Sequence, residues 1–203
     1  MFVFASCKQH SPEGLPKFKS KFKTQIASFE KQKEKTDKYV NKGLEGLSAL
    51  QQALNDARNV DKEFNHVYGQ WETVNKRVEK LNKEYEELKQ RADDLFGAID
   101  KQVQGLSDAK TRSELLDALR KSRAKYDKTL LNTSKAIDKL RTLHGEALEA
   151  IKTLEAAIAI GQIDSINENL KSIENRVGDI MKDLNMTVTE SKKLYEQRMN
   201  DMQ

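Results

Sequence analysis

An uninterrupted heptad pattern is the feature of this sequence that most restricts its fold. Between residues 60 and 99 apolar side chains recur in alternating steps of four and three, and the pattern then drifts to residues 103 and 106. A 3.5-residue period keeps one narrow apolar stripe of a helix against a partner helix. At 1.5 Å per residue, this helix is roughly 70 Å long. Because a compact globule cannot bury such a length, we expect the rest of the chain to form helices of similar length.

Composition favours a thin, elongated core. The chain has 203 residues, of which 37% are apolar, 6% aromatic and 33% charged. Its only prolines, Pro12 and Pro16, lie near the start, so residues 17–203 are free of the residue that most strongly disrupts helices. No window approaches the about 20 consecutive apolar residues that a membrane-spanning helix needs. We therefore predict an all-α protein without a transmembrane span.

The breaks in the apolar pattern divide residues 17–203 into four helices within one domain, at about 17–57, 60–105, 110–160 and 163–202. The weakest break lies at residues 55–61, where Asn and Asp are frequent but no Gly or Pro occurs. Without a turn there, the first helix would approach ninety residues. Short connections make neighbours antiparallel, so we predict an up-down-up-down bundle of the spectrin or coiled-coil type.

Local signals mark the ends of these helices. Gly105 is suited to close the second helix in a left-handed conformation, and Ser107, Asp108 and a capping box at residues 111–114 are suited to open the third. Residues 161–164 contain a Gly and an Asp that favour a tight turn. The segment at 30–38 has no apolar residue, so we expect it to be exposed or loosely attached.

Positive charge is concentrated near the N-terminus. The net charge is +4, but residues 8–42 contain ten lysines and four acidic residues. Four of these lysines alternate with an apolar stripe of Phe18, Phe22, Ile26 and Phe29; they are Lys17, Lys19, Lys21 and Lys23. One interpretation is a helix that packs on a neighbour while its lysines are solvated; the other is an amphipathic helix on an anionic membrane surface. Nucleic acid is not an expected partner, because this region has no arginine.

The single cysteine, Cys7, follows a short apolar run, MFVFAS. This pattern resembles the lipobox of bacterial lipoproteins, in which the cysteine is acylated and becomes the first residue of the mature chain. Phe4 stands where Leu is usual, and a basic region and most of the apolar region of a signal peptide are missing. We expect upstream coding sequence to supply them. The alternative is a frayed apolar end. Residues 8–16 are interpreted as a tether.

The sequence offers little support for catalysis. Three histidines are the only neutral-pH bases, and Glu63 with His66 matches only one half of a di-iron motif. We predict neither an enzyme nor a metal site, cofactor or small-molecule substrate. Arg120, Arg123 and Tyr126 share one helical face and are suited to bind a carboxylate or phosphate. The alternative for these three residues is interhelical ion pairs around a core tyrosine.

Several segments resemble a family. The segment LRKSRAKY at 119–126 is similar to a Leu-Arg-x-Thr-Arg-x-Arg-Tyr motif of a proteobacterial family of unknown function, whose members are small helical lipoproteins. The segments SALQQ at 48–52 and DLF at 94–96 also resemble it, and Cys7 falls where its lipobox cysteine lies. The resemblance implies an envelope lipoprotein with no assigned activity.

Three functional hypotheses follow. The first is a structural or adaptor rod, lipid-anchored at Cys7 and facing the periplasm, that binds a protein partner or a second copy. The second is a module that binds or remodels anionic membranes through the lysine-rich first helix and the apolar segment 154–163. The third is a cytoplasmic coiled-coil scaffold.

Overall fold

The computed structural model describes residues 14–56, 60–160 and 166–200, and every regular element within these ranges is an α-helix. The helices are α1 (Gly14–Asn55), α2 (Val60–Gln104), α3 (Ala109–Ile160) and α4 (Ile166–Asn200). The longest, α3, has 52 residues, which corresponds to roughly 78 Å. The prediction of an all-α fold with four long helices is confirmed.

The helices form a closed bundle in which each contacts the next and α4 returns to α1. Cross-helix hydrogen bonds show that neighbours run antiparallel. The pairs are Gln25 with Glu84 and Thr36 with Arg77 between α1 and α2, and Tyr126 with Ser191 and Thr133 with Thr187 between α3 and α4. We call the end where α1 begins and α2 ends the N-terminal tip, and the opposite end the distal tip.

The heptad stripe of α2 forms the centre of the core, as its pattern predicts. Its buried residues are Val67, Trp71, Val74, Val78, Leu81, Tyr85, Leu88, Ala92, Leu95 and Ile99. Near the ends of α2, Val60, Phe64 and Val103 are partly buried. Leu106, where the pattern drifts, lies beyond the helix and is exposed.

The helices α1 and α2 lie unusually close at two glycines of α1. A Cβ atom on Gly43 would lie 3.0 Å from Cε2 of Trp71, and one on Gly46 would lie 3.1 Å from Cγ2 of Val67. Trp71 and Val67 are both fully buried. Any larger residue at these two positions would have to displace them, so the glycines permit the close approach.

The middle of α1 enters the core with polar side chains, contrary to the expectation of an exposed or loose segment. Gln32, Lys33 and Thr36 are all buried. The Lys33 ammonium donates a hydrogen bond to Asn185 of α4, and the Thr36 hydroxyl donates one to the backbone oxygen of Gln32 at 2.9 Å. These bonds offset part of the cost of desolvating the polar groups.

The chain reverses between α1 and α2 close to the expected position. The first helix ends at Asn55 and the second begins at Val60, and the Asp56 amide still bonds to the Gln52 carbonyl at 3.0 Å. At the other end of α1, residues 14–16 of the expected tether are helical. Pro16 is tolerated there because the first turn of a helix has no intrahelical acceptor for its amides.

The connection between α2 and α3 differs in part from the expected caps. Gly105 does not adopt the left-handed conformation, and its amide bonds to the Lys101 carbonyl at 3.3 Å. Asp108, rather than the box at 111–114, caps α3, because its Oδ2 accepts the Thr111 amide at 2.7 Å. The Thr111 hydroxyl and, to a smaller extent, this amide lower the pKa of Asp108.

Candidate functional site

The structure does not bring Arg120, Arg123 and Tyr126 onto one open surface. Arg120 is exposed and contacts Asp117 in the preceding turn, with 3.1 Å between Nη1 and Oδ1. Arg123 reaches across to α2, where its Nη2 lies 2.6 Å from Oδ1 of Asp93. Tyr126 lies in the core and is only 3% exposed. The core position of Tyr126 and the interhelical pair of Arg123 match the alternative interpretation, whereas the ion pair of Arg120 lies within α3.

The guanidinium of Arg123 already has two acidic neighbours. Besides Asp93, its Nε lies 3.7 Å from Oδ2 of Asp127, and its Cζ lies 5.7 Å from the ring centroid of Phe96. An external carboxylate or phosphate would have to compete with both aspartates for the same donors. Binding of an anion by this cluster therefore stays a prediction.

Tyr126 is held by two aromatic rings and one hydroxyl. Phe22 meets it edge-on at 6.0 Å between centroids, and Phe96 lies at 6.2 Å. Its phenol oxygen is 2.9 Å from Oγ of Ser191. Burial raises the pKa of Tyr126 well above its usual range, with the hydrogen bond to Ser191 acting in the opposite sense. The phenol is protonated at neutral pH and does not act as a base there.

Beside Tyr126 is a shallow cleft between α3 and α4. Its volume of about 30 Å³ is enough for a water molecule or two. Glu190 at its rim contacts Lys193 at 3.1 Å and Lys125 at 3.2 Å. These two ammonium groups lower the pKa of Glu190. The cleft is too small for a cofactor or substrate and its charges are already paired.

The N-terminal lysines lie on the outside of the bundle, whereas the apolar stripe between them lies in the core. Lys17, Lys21 and Lys23 are exposed, and Lys19 is partly buried. The stripe residues Phe22, Ile26 and Phe29 are buried and Phe18 is partly buried; their packing matches the interpretation of a core helix. Insertion of this stripe into a bilayer would require the bundle to open.

The histidines within the described residues are not arranged for metal binding. His66 contacts Gln70, with 2.9 Å between His66 Nε2 and the amide nitrogen. Burial lowers the pKa of His144, while the negative charge of Glu72 acts in the opposite sense. Across residues 14–56, 60–160 and 166–200, no group of three or more His, Cys, Asp or Glu side chains is placed to hold a metal ion.

A known protein family matches nearly the whole chain. The model of a family described as a protein of unknown function, DUF2959, matches residues 8–198. This chain belongs to the DUF2959 family. The match confirms the resemblance to a family of unknown function and covers nearly all of the bundle. No curated protein and no solved structure matches the chain.

Several sequence-predicted regions of this DUF2959 member lie wholly or partly outside the described residues, among them residues 8–13 of the tether and the turn at 161–164. Cys7 precedes the first described residue, Gly14. In the apolar segment 154–163, Leu154 is buried, and the side chains from residue 157 onward lie outside the description. Within the described part of the chain, no helix is long and apolar enough to cross a membrane.

A set of buried hydroxyl groups between α3 and α4 was not anticipated from the sequence. Thr133 is hydrogen-bonded to Thr187, about two turns along α3 and one turn along α4 from the bond between Tyr126 and Ser191. A signal for them exists, because Thr133 lies three residues after Leu130 and four before Ile137, on the same alternating steps as the apolar core. A polar residue at such a position is expected to be buried and paired.

An open groove at the N-terminal tip was also not anticipated. It has a volume of about 970 Å³ and lies between the first turns of α1 and the last turns of α2. Leu15 and Phe18 line one side, and Ala98 and Leu106 are among the residues on the other. No local motif marks this groove, because it results from where two helices distant in sequence begin and end.

Proposed function

We propose that this DUF2959 protein is a structural or adaptor rod of a bacterial envelope, held at one tip by a lipid on Cys7. The observation that carries the proposal is the position of α1, which begins at the N-terminal tip with Gly14, seven residues after Cys7. A lipid on Cys7 would tether the rod by its end. The sides of the helices would then be available to a protein partner or a second copy.

The environments of the most reactive side chains favour this role over catalysis. Tyr126 is a protonated core residue, Arg123 contacts two aspartates, and burial makes His144 a weaker base than usual. All three contribute to helix packing. A rod whose polar groups connect its helices is suited to spacing and holding partners.

Two other functions remain as alternatives to this proposal. A cytoplasmic scaffold would use the same bundle without a lipid. A membrane-remodelling module would need to expose the apolar stripe of α1, and the burial of Phe22, Ile26 and Phe29 disfavours that mode. The modification of Cys7 separates the anchored rod from the cytoplasmic scaffold.

The test is expression of the gene together with its upstream genomic sequence, followed by cell fractionation and mass spectrometry. We expect the wild type in the membrane fraction with a lipid on Cys7, and the Cys7→Ser variant in the soluble periplasmic fraction. A matched control, Cys7→Ser with Ser11→Cys, moves the thiol by four residues and should not restore lipidation. An unmodified wild type that fractionates like Cys7→Ser would refute the anchor and favour the scaffold.

A further inference from the structure

The outer face of α1 carries a row of lysines that is longer than the N-terminal cluster. We call it the α1 ridge, and it consists of Lys17, Lys21, Lys31, Lys35, Lys38 and Lys42. All six are exposed. They lie on the side of the helix opposite the core residues Phe22, Phe29 and Val40, which are fully buried. The ridge therefore follows the rod instead of ending at its tip.

The charge of the α1 ridge is not neutralised by the rest of the described bundle. None of its lysines forms an ion pair with another described residue. Among the acidic residues of the same stretch, Glu30 contacts Lys192 of α4 at 2.7 Å, and Asp37 accepts a hydrogen bond from Asn41. Glu34 and Glu45 are the exposed acids of α1 beside the ridge, so the six lysines outnumber them three to one. The outer face of α1 is thus strongly positive.

We propose that the α1 ridge holds the rod flat on an anionic phospholipid membrane. The ridge spans roughly 38 Å from Lys17 to Lys42 at 1.5 Å per residue, which is several times the screening length of about 8 Å at physiological salt. Only a surface that extends along the rod can contact all six ammonium groups at once. A planar membrane offers such a surface to a convex helix.

The position of the ridge agrees with the proposed lipid anchor, and this inference deepens that proposed function. Lys17 lies at the N-terminal tip, next to the start of α1 that follows Cys7. A lipid at Cys7 and the ridge can therefore reach the same membrane. Because the apolar stripe of α1 stays in the core, the contact is peripheral and electrostatic. The face of α3, diagonally across the bundle, then points away from the membrane.

Nucleic acid is the competing polyanion, and the composition of the ridge disfavours it. The helix α1 contains no arginine, which is the residue suited to bidentate contacts with phosphate. The ridge is also the convex surface of a single helix, whereas single-stranded nucleic acids are followed by positively charged grooves with stacking aromatic residues. The shape and charge of the ridge fit a flat layer of headgroups better.

The test uses the full chain with Cys7→Ser, so that no lipid contributes, and vesicles of phosphatidylcholine with or without phosphatidylglycerol. We expect binding to the anionic vesicles only, and loss of binding as salt is raised. Each lysine close to an anionic leaflet changes partitioning about five-fold. The variant K31Q/K35Q/K38Q should therefore bind on the order of 100-fold more weakly.

The matched control is K121Q/K128Q/K135Q on the outer face of α3, where all three lysines are exposed. It removes the same net charge from the opposite side of the bundle, so its partitioning should stay within about five-fold of the parent. Circular dichroism verifies that both variants are folded. Equal losses of partitioning in the two variants would mean that net charge alone attracts the protein to the vesicles. If the parent protein does not bind anionic vesicles at all, the ridge is not a membrane contact. Either result overturns the proposal.

Two further measurements complete the test: the orientation of the helices on a bilayer, and binding to DNA compared with binding to anionic vesicles. On supported anionic bilayers, polarised infrared dichroism should show helices parallel to the membrane plane, and helices along the normal would overturn the flat arrangement. Binding of duplex DNA at the affinity measured for anionic vesicles, with the same loss in K31Q/K35Q/K38Q, would reassign the ridge to polyanions in general. Because these measurements use the unlipidated chain, their failure leaves the Cys7 result unaffected, and a failed Cys7 test leaves them unaffected.

Discussion

The two halves of the bundle are held together by different kinds of contact. Between α1 and α2, the side chain of Trp71 packs directly on the backbone at Gly43, and the hydrogen bonds that cross, from Gln25 to Glu84 and from Thr36 to the Arg77 carbonyl, are only part-buried. Between α3 and α4, two hydroxyl pairs lie in the core. Three ion pairs border them; they are Lys125 with Glu190, Lys139 with Asp183, and Arg176 with Glu146.

This difference separates two requirements of a long bundle. Close apolar packing provides free energy of folding but tolerates sliding, because one heptad resembles the next. Buried polar pairs add little net free energy, yet they are satisfied in one register only. We therefore expect α1 and α2 to supply more of the stability, and the α3 and α4 pairs to fix how the helices align.

The largest effect is expected at the α1 and α2 interface. Replacing the fully buried Trp71 by Ala removes its contacts and leaves a cavity beneath Gly43, which should cost about 3–5 kcal/mol of unfolding free energy. Chemical denaturation monitored by circular dichroism measures it. Tyr68→Ala on the same helix, at a site 42% exposed, is the control and should cost far less. A loss below about 1 kcal/mol for Trp71→Ala would contradict tight packing here.

The close approach itself is tested with two glycines. Ala in place of Gly43 would crowd the Trp71 ring, with Cβ only 3.0 Å from Cε2, so we expect a net loss of about 1–3 kcal/mol. Gly69 has no atom near its Cβ position, and Gly69→Ala should stabilise the helix by about 0.5–1 kcal/mol. If both substitutions stabilise equally in thermal unfolding, the two helices are not in close contact at Gly43.

Much of this architecture could be predicted because it depends on local periodicity. The steps of four and three in α2 identify its buried face residue by residue. The same steps continue in α1 from Phe29 through Lys33, Thr36 and Val40, but a pattern restricted to apolar residues ended at Phe29. The buried ammonium of Lys33 is hydrogen-bonded to Asn185, which lies 152 positions away in the sequence. No local rule brings those two residues together, since their contact depends on the register of α1 against α4.

The candidate cluster on α3 shows the same limit. Spacing placed Arg120, Arg123 and Tyr126 within two turns of one helix, but it could not say which neighbours each would meet. Asp93 and Ser191, which come from α2 and α4, decide that Arg123 is paired and that Tyr126 is buried. The sequence predicts the helix and the positions of its side chains around the axis. Which partners those side chains meet, and so what they can bind, depends on the assembled bundle.

The next effect concerns the phenol that connects α3 to α4. Tyr126→Phe keeps the ring but leaves the buried Ser191 hydroxyl without its partner, at a cost of about 1–2 kcal/mol. A matched control is Tyr68→Phe, at an exposed position, which should leave the denaturation midpoint unchanged at neutral pH. An unchanged midpoint for Tyr126→Phe would show that the pair contributes no stability.

The same residue gives a pH dependence whose sign is defined. An unfolded tyrosine titrates near pH 10, and burial raises the pKa of folded Tyr126 above that. The unfolded state therefore loses its proton first, so stability is complete below about pH 10 and falls as the pH rises further. Tyr126→Phe should show a shallower alkaline decline in unfolding free energy than the wild type.

A smaller effect is expected for the threonine pair. Each hydroxyl has a fallback acceptor in its own helix, the Thr129 carbonyl for Thr133 and the Asp183 carbonyl for Thr187. Single changes to Val should thus cost about 1 kcal/mol or less, and the double variant should recover part of that loss. A double-mutant cycle measures the coupling. Strictly additive losses would show that the two hydroxyls do not act as a pair.

The smallest effect is expected at His144, which tests the interface between α2 and α3 at the distal half of the rod. Burial leaves Nε2 without a hydrogen-bond partner within the described structure and lowers the pKa of the folded imidazole. The unfolded histidine, with a pKa near 6.5, then binds a proton first as the pH falls. Stability is therefore complete above that pH and declines below it, by less than about 1 kcal/mol for a half-buried group.

Two variants distinguish this contribution from that of the carboxylates, which titrate at lower pH. His144→Gln should flatten the unfolding free energy between pH 7 and about pH 5.5. Glu72→Gln removes the charge that opposes the effect of burial, so the pKa of His144 should fall further and the decline should steepen. If the wild type instead gained stability as the pH fell and Glu72→Gln removed that gain, the carboxylate and not desolvation would dominate, and the ring would have to be more exposed to water than its position between α2 and α3 implies.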